Sequence, residues 1–157
     1  MADAQDSSGD AKRYFAYGSN MLRRQILERC PNARFLGPAC LRDHALAFTR
    51  RSERWGGGVA DVIASAGSET WGGLYAITAA DIAKLDQLEG HPHSYERRRV
   101  VVEHIGAPVA AWAYVVVAKQ PAVLPTREYW QAIVAGAVDC DLPEPYIAAL
   151  RALAHGE

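Results

Sequence analysis

The chain has 157 residues, which suits a single domain with a substantial hydrophobic core. It carries 17 lysines and arginines against 18 aspartates and glutamates, and this net charge of −1 excludes the strongly basic field typical of nucleic-acid-binding domains. Half of the residues are hydrophobic and 22% are charged, a balance that excludes a disordered or fibrous chain. Because no apolar stretch reaches the roughly 18 residues of a membrane-spanning helix, we expect neither nucleic acid nor a membrane as a partner.

Residues 1–12 are small and polar, and they lack the basic and then apolar order of a signal peptide. We expect them to form a disordered N-terminal tail and residues 13–157 to form one domain. The three cysteines, Cys30, Cys40 and Cys140, are odd in number and widely spaced. This pattern favours free thiols over a disulfide framework or a metal clamp, and it is typical of a protein in the reducing cytoplasm.

The first half of the chain predicts one helix among several short strands. An aromatic strand at 13–17 is followed by a glycine-containing turn at 18–20 and by a helix over 22–30. Four further strands are predicted, at residues 33–40, 44–49, 59–63 and 74–77. The polar residues 41–43 and the charged residues 50–55 are predicted to be loops between them.

The second half of the chain adds helices. Thr78 followed by Asp81 resembles a capping box, which predicts a helix over 79–89 closed by Gly90 in a left-handed conformation. Strands at 96–104 and 109–118 follow, and then helices at 126–138 and 143–154. Since strands and helices do not alternate regularly, we predict an α+β domain in which a small, mixed, barrel-like sheet carries a few flanking helices.

The turn Tyr17-Gly18-Ser19-Asn20 lies between the first strand and the first helix. A glycine here lets a ligand approach the backbone, and the amides that begin a helix have no partners within it, so such a turn can bind an anion. The pair Arg23-Arg24 in the first helical turn is unfavourable beside the helix dipole, and a carboxylate ligand would offset it. The alternative is an ordinary turn in which Ser19 or Asn20 caps the helix.

Glu89 lies four residues after Leu85 and seven after Ile82, which places its carboxylate on the apolar face of the predicted helix. Burial and the negative end of the helix dipole both raise the pKa of a carboxyl in such a position. A raised pKa suits a carboxyl for general acid/base catalysis near neutral pH. Two alternatives stay open, a side chain that lies in solvent at a frayed helix end, and Asp86 as a weaker rival on the same face.

Other patterns give weaker indications of chemistry. His91-Pro92-His93 has no third ligand at a fixed spacing and is more typical of a loop than of a zinc site. Arg97-Arg98-Arg99 alternates across a predicted strand and indicates a solvated face. The motifs of P-loop, dinucleotide-binding, zinc-protease and α/β-hydrolase proteins are missing from the sequence. We therefore expect neither a metal nor a cofactor.

Taken together, these motifs resemble those of the γ-glutamylcyclotransferase family, over nearly all of residues 14–150. The Tyr-Gly-Ser-Asn turn and the Leu-Asp-x-x-Glu-Gly helix end are the most specific of them. The matching segments, in order, are Tyr14-Phe15-Ala16-Tyr17-Gly18-Ser19-Asn20-Met21, Trp55-Gly56-Gly57-Gly58-Val59-Ala60, Trp71-Gly72-Gly73-Leu74-Tyr75, Leu85-Asp86-Gln87-Leu88-Glu89-Gly90, Tyr95, Tyr129, Gly136-Ala137 and Leu142-Pro143-Glu144-Pro145-Tyr146.

The resemblance implies a small barrel-like α+β fold and a cofactor-free reaction, in which a γ-glutamyl amide cyclises to 5-oxoproline and releases an amine. By position, Glu89 corresponds to the general acid/base, and the turn 17–20 corresponds to the loop that holds the γ-glutamyl group. Tyr95 and Tyr129 correspond to residues of the same pocket. The implied partner is a small-molecule γ-glutamyl substrate, and a homodimer is compatible with the sequence.

Two features depart from the family pattern. Asp141 stands where members often have a glycine, and the loop 91–94 is not typical, which leaves the leaving-group side of the pocket open. The sequence does not distinguish γ-glutamyl amino acids from γ-glutamylamines, glutathione or γ-glutamyl-protected metabolites. A non-catalytic module that binds a small acid is the alternative from another class. A carboxylate such as Glu89 on the buried face favours the enzyme, since a binder of anions is weakened by a further negative charge.

Overall fold

Five strands close into a barrel in the order β1-β3-β2-β4-β5, and four helices flank it in the part of the chain that is described. The computed structural model describes residues 12–154. Its strands are β1 (Lys12–Ala16), β2 (Arg34–Ser52), β3 (Gly57–Ile77), β4 (Tyr95–His104) and β5 (Ala107–Val116). Its helices are α1 (Arg23–Arg29), α2 (Ala79–Glu89), α3 (Arg127–Asp139) and α4 (Glu144–Ala154), and a 3₁₀ turn (Ser19–Met21) precedes α1.

The predicted α+β class with a mixed, barrel-like sheet is confirmed. Four of the five strand contacts are antiparallel, and β1 and β5 close the barrel in parallel through the pair Tyr14 and Trp112. The expected tail lies mainly in residues 1–11, outside the described residues, and Lys12 begins β1. None of the described helices is both long and apolar enough to cross a membrane.

The prediction of four short strands between residues 33 and 77 is wrong. They belong to two continuous strands, β2 with 19 residues and β3 with 21, which pair as one long hairpin. The expected break at 41–43 is a β-bulge beside Asp43, whose φ is +61°. The expected loop at 50–55 is strand as far as Ser52. Polar residues in this hairpin indicated loops because much of its far end is exposed, and an exposed ladder needs no alternating apolar face.

The helix α2 begins and ends where the sequence predicts. The Thr78 hydroxyl accepts a hydrogen bond from the amide of Asp81 at 3.1 Å, and the Asp81 carboxylate accepts one from the amide of Thr78, also at 3.1 Å. Gly90 has a φ of +71° and closes the helix in the left-handed conformation. These two caps fix Glu89 as the last residue of α2.

The helix α3 packs closely on the 3₁₀ turn that leads into α1. At Gly136, a Cβ atom would lie 2.6 Å from the Cβ of Met21 and 2.8 Å from the backbone nitrogen of Leu22. A glycine is therefore required by this contact. The following junction to α4 holds Asp141 at a φ of +56°, a conformation that aspartate adopts more readily than most residues, which accounts for the place where the family often has glycine.

We expect Gly136→Ala to destabilise the protein, although alanine is the better helix former. The helix-propensity gain is about 1 kcal/mol, whereas overpacking against backbone costs about 1–3 kcal/mol, so the net loss should be about 1–2 kcal/mol. The urea midpoint measures it. Ala135→Gly, at an exposed position of the same helix, calibrates the propensity effect alone, and a stabilised Gly136→Ala variant would contradict the packing argument.

Candidate active site

A cavity of about 260 Å³ lies where the 3₁₀ turn, the end of α2 and the beginnings of β3, β4 and α3 meet. The described residues that line it include every site residue expected from the sequence. These residues are Tyr17, Gly18, Ser19, Asn20, Glu89, Tyr95 and Tyr129. Three arginines also line the cavity, Arg29, Arg50 and Arg54.

The Glu89 side chain is largely withdrawn from solvent, with 18% of its surface exposed. Burial raises the pKa of its carboxyl, while the charges of Arg29, Arg50 and Arg54 act in the opposite direction. The nearest of these cations is Arg29, whose Nη1 lies 3.9 Å from Glu89 Oε2. The alternative of a frayed helix end in solvent is therefore wrong, and the predicted upward direction of the pKa agrees with this geometry.

Asp86, the weaker rival, has a structural role. Its carboxylate accepts hydrogen bonds from Arg97 Nε at 2.8 Å and from the Tyr114 hydroxyl at 2.7 Å. Burial raises the pKa of this carboxyl, but the hydrogen bonds from Arg97 and Tyr114 outweigh burial and hold the pKa below its ordinary value. A carboxylate with two such partners is a poor proton acceptor, and it ties α2 to β4 and β5.

The side chain of Asn20 is used within the protein. Its Nδ2 donates to the Tyr14 hydroxyl, and its Oδ1 accepts from Gln25 Nε2 and from Arg29 Nη1, each at 2.9 Å. Because the same Arg29 nitrogen also faces Glu89, Asn20 holds this guanidinium opposite the carboxylate. The sequence motif predicts Asn20 at the site, and the geometry shows that its side chain positions Arg29.

The turn itself leaves main-chain donors toward the cavity end of the 3₁₀ segment. Its closing hydrogen bonds run from the amides of Met21 and Leu22 to the carbonyls of Gly18 and Ser19, each at 3.0 Å. The amides of Ser19 and Asn20 are not used by these bonds. Neither the 3₁₀ turn nor α1 has a side-chain cap, so the alternative in which Ser19 or Asn20 caps the helix is wrong.

The expectation that a ligand carboxylate offsets Arg23-Arg24 is also wrong in its partner. The amide of Arg23 donates to the Asp139 carboxylate at 2.9 Å, and the Arg23 guanidinium donates to the Asp139 carbonyl at 2.8 Å. The negative charge at the start of α1 therefore comes from the end of α3. Asp139 is more than a hundred residues away in sequence, so no local pattern indicated it.

Two tyrosines grip the Ala60 peptide in the wall of the cavity. The Tyr129 hydroxyl accepts from the Ala60 amide at 2.9 Å, and the Tyr95 hydroxyl donates to the Ala60 carbonyl at 2.8 Å. A Cβ on Gly18 would lie 3.2 Å from both the Ala60 Cβ and the Tyr129 hydroxyl, so a side chain has little room there. Burial raises the pKa of Tyr95 and Tyr129, which keeps both hydroxyls neutral at physiological pH.

The sequence analysis did not identify the arginines of the cavity. Arg50 and Arg54 fall in the segment expected to be a solvated loop, and Arg29 ends α1, where a cation is usual beside the helix dipole. The weaker candidates take no part in lining the cavity. His91 Nδ1 accepts from the Arg97 amide, and the three cysteines are buried and free. Within residues 12–154, no His, Cys, Asp and Glu side chains group together as a metal site would require.

The fold and the cavity define a class of small α+β barrel proteins that present a buried carboxylate beside free main-chain amides. Comparison with known proteins identifies the class. Residues 14–132 match the family model "Gamma-glutamyl cyclotransferase, AIG2-like". The chain is similar to the γ-glutamylcyclotransferases of Mus musculus, at 34% identity over 95% of this chain and 82% of that protein, and of Bos taurus, at 32% over 96% and 83%.

A solved structure described as a γ-glutamyl cyclotransferase superposes with a TM-score of 0.86, at 31% identity over 90% of this chain and 87% of the other. The protein belongs to the γ-glutamyl cyclotransferase, AIG2-like family.

The position of Arg29 generates a prediction about pH. Arg29→Met removes the nearest positive charge, so the pKa of Glu89 rises further and the ionised base forms only at higher pH. The acid limb of kcat/KM against pH should move to higher pH, with a larger loss of activity at acid than at alkaline pH. Arg24→Met, at an exposed position of the same helix, is the matched control. An unmoved limb would show that Arg29 does not act on the base.

Proposed function

We propose that the protein is a γ-glutamylcyclotransferase that converts a γ-glutamyl amide into 5-oxoproline and a free amine, with Glu89 as general acid/base. The observation that carries the proposal is the placement of a largely buried Glu89 in the same cavity as the 3₁₀ turn. Membership of the family and the similarity to γ-glutamylcyclotransferases of two mammals support it.

The reaction requires two proton transfers. Glu89 first takes a proton from the α-ammonium of the substrate, which frees the lone pair on that nitrogen. The nitrogen attacks the γ-carbonyl carbon of the same molecule, and a five-membered ring closes. When the bond from that carbon to the amine half breaks, Glu89 returns its proton to the departing nitrogen. One carboxyl performs both transfers, and no water is consumed.

The electrostatics of Glu89 suit this double role. Burial makes the carboxylate a stronger base than it is in water, while the neighbouring arginines oppose full protonation in the free enzyme. A proton acceptor in general acid/base catalysis works best with a pKa near the working pH. The opposed effects of burial and of Arg29 therefore favour a carboxyl that both accepts and releases the proton.

The walls of the cavity supply orientation. The amides of Ser19 and Asn20 are placed to hold the substrate α-carboxylate or the oxyanion that forms on the γ-carbonyl oxygen. Tyr95 and Tyr129 fix the opposite wall through the Ala60 peptide. Since the nucleophile is tethered to its target, holding the substrate in a folded pose supplies much of the acceleration, and effective molarities on the order of 10⁵ M are reached by well-oriented intramolecular reactions.

The proposal extends to the organisation of the protein. It includes a single domain over residues 13–157 and a location in the reducing cytoplasm, which fits three buried cysteines that are all free. Burial raises the pKa of each of these thiols to about 11, so none of them is suited to act as a nucleophile in place of Glu89.

Glu89→Gln tests the catalytic role. Glutamine keeps the size of the side chain but neither accepts nor donates the required proton, so kcat should fall by about 10²-fold or more. Release of 5-oxoproline from a panel of γ-glutamyl amides measures it. Glu53→Gln, at an exposed position in the turn after β2, is the control that should keep full activity. A folded Glu89→Gln variant with parental turnover would refute the assignment.

A further inference from the structure

The charges of the cavity are unequal. Three arginine side chains and a single carboxylate line it. Arg29 is already engaged, because it donates to Asn20 and faces Glu89. Arg50 and Arg54 are different. Among residues 12–154, no carboxylate lies within 4.0 Å of either guanidinium, and the one side-chain hydrogen bond found for Arg50 goes to the neutral Ser94 hydroxyl at 3.0 Å.

We propose that Arg50 and Arg54 form a subsite for a carboxylate on the amine half of the substrate. The inference rests on the function proposed above and names the substrate class of the same site. Arg50 and Arg54 would select γ-glutamyl amides of amino acids and short peptides, and they would reject γ-glutamylamines, whose amine half carries no carboxylate.

The placement of the two arginines supports this division of the cavity. Arg50 ends β2 and Arg54 lies in the turn to β3, whereas the main-chain donors for the γ-glutamyl half belong to the separate 3₁₀ turn. The reacting ammonium must lie at Glu89, between these two groups of residues. A guanidinium binds a carboxylate through two parallel hydrogen bonds, and it repels an amine half with a positive charge.

The arginines also act on Glu89, which shapes the experiment. Because both lower the pKa of Glu89, removing either one changes the rate for every substrate. The informative quantity is therefore the ratio of kcat/KM for two substrates that differ only in the carboxylate. In that ratio, a change in the base itself cancels.

The substrates are γ-glutamyl-alanine and γ-glutamyl-alaninamide, which have nearly the same size and shape. The wild-type protein should prefer γ-glutamyl-alanine by about tenfold, the size of effect typical of one charged hydrogen bond. Arg50→Gln and Arg54→Gln should each reduce this preference severalfold, mainly through a higher KM for γ-glutamyl-alanine. Arg51→Gln removes the same charge from an exposed side chain outside the cavity and should keep the preference.

A salt titration of the wild-type protein needs no variant, so it remains decisive where a variant folds poorly. Higher ionic strength should raise KM for γ-glutamyl-alanine and leave that for γ-glutamyl-alaninamide nearly constant, because salt screens charges at a partly exposed site. Equal kcat/KM for the two substrates, or equal effects of each variant on both, would overturn the subsite and leave the proposed function intact. Failure to form 5-oxoproline from either substrate would instead overturn the proposed function.

Discussion

The site depends on one electrostatic relation, a carboxylate that is held largely out of water opposite a guanidinium that cannot turn away. Glu89 is fixed by the end of α2, and Arg29 is fixed by its hydrogen bond to Asn20. Burial alone would favour the neutral acid, and exposure alone would make the carboxyl an ordinary surface group. The 3.9 Å separation, longer than a direct hydrogen bond, leaves the carboxylate with charge stabilisation and without a tight partner. Asp86 shows the contrast, because its two direct hydrogen bonds lower its pKa and remove it from acid/base chemistry.

The barrel maintains this relation through contacts that lie outside the cavity. Asp86 ties α2 to β4 and β5 through Arg97 and Tyr114, so the last turn of the helix cannot move away from the sheet. Asp139 holds the start of α1 in the same way from the end of α3. Both carboxylates join elements that are far apart in sequence, and each lies within two turns of a residue of the cavity. The two helices that carry Glu89 and Arg29 are therefore held independently, and the distance between these side chains follows from the fold.

The sequence predicts the features that are local and fails for those that need a distant partner. The ends of α2, the position of Glu89 and the turn 17–20 follow from capping, periodicity and glycine placement within a few residues. The long hairpin of β2 and β3 does not, because its exposed part pairs through the backbone and carries no alternating pattern. Arg50 was assigned to a loop for the same reason. The role of Asn20 as a support for Arg29 also needs tertiary contacts, since only the folded chain brings Tyr14, Asn20 and Arg29 together.

The arginines of the cavity connect substrate binding to the strength of the base. In the free protein, the charges of Arg50 and Arg54 lower the pKa of Glu89 and keep more of it ionised, which is the form that accepts a proton. In the proposed complex, a substrate carboxylate on these arginines cancels part of their charge and also displaces water from the cavity. Both changes raise the pKa of Glu89, so the carboxylate becomes a stronger base once the substrate ammonium lies beside it. A substrate without that carboxylate displaces the water but leaves the arginine charges in place. Selection of the amine half and activation of Glu89 are thus two consequences of the same pair of charges.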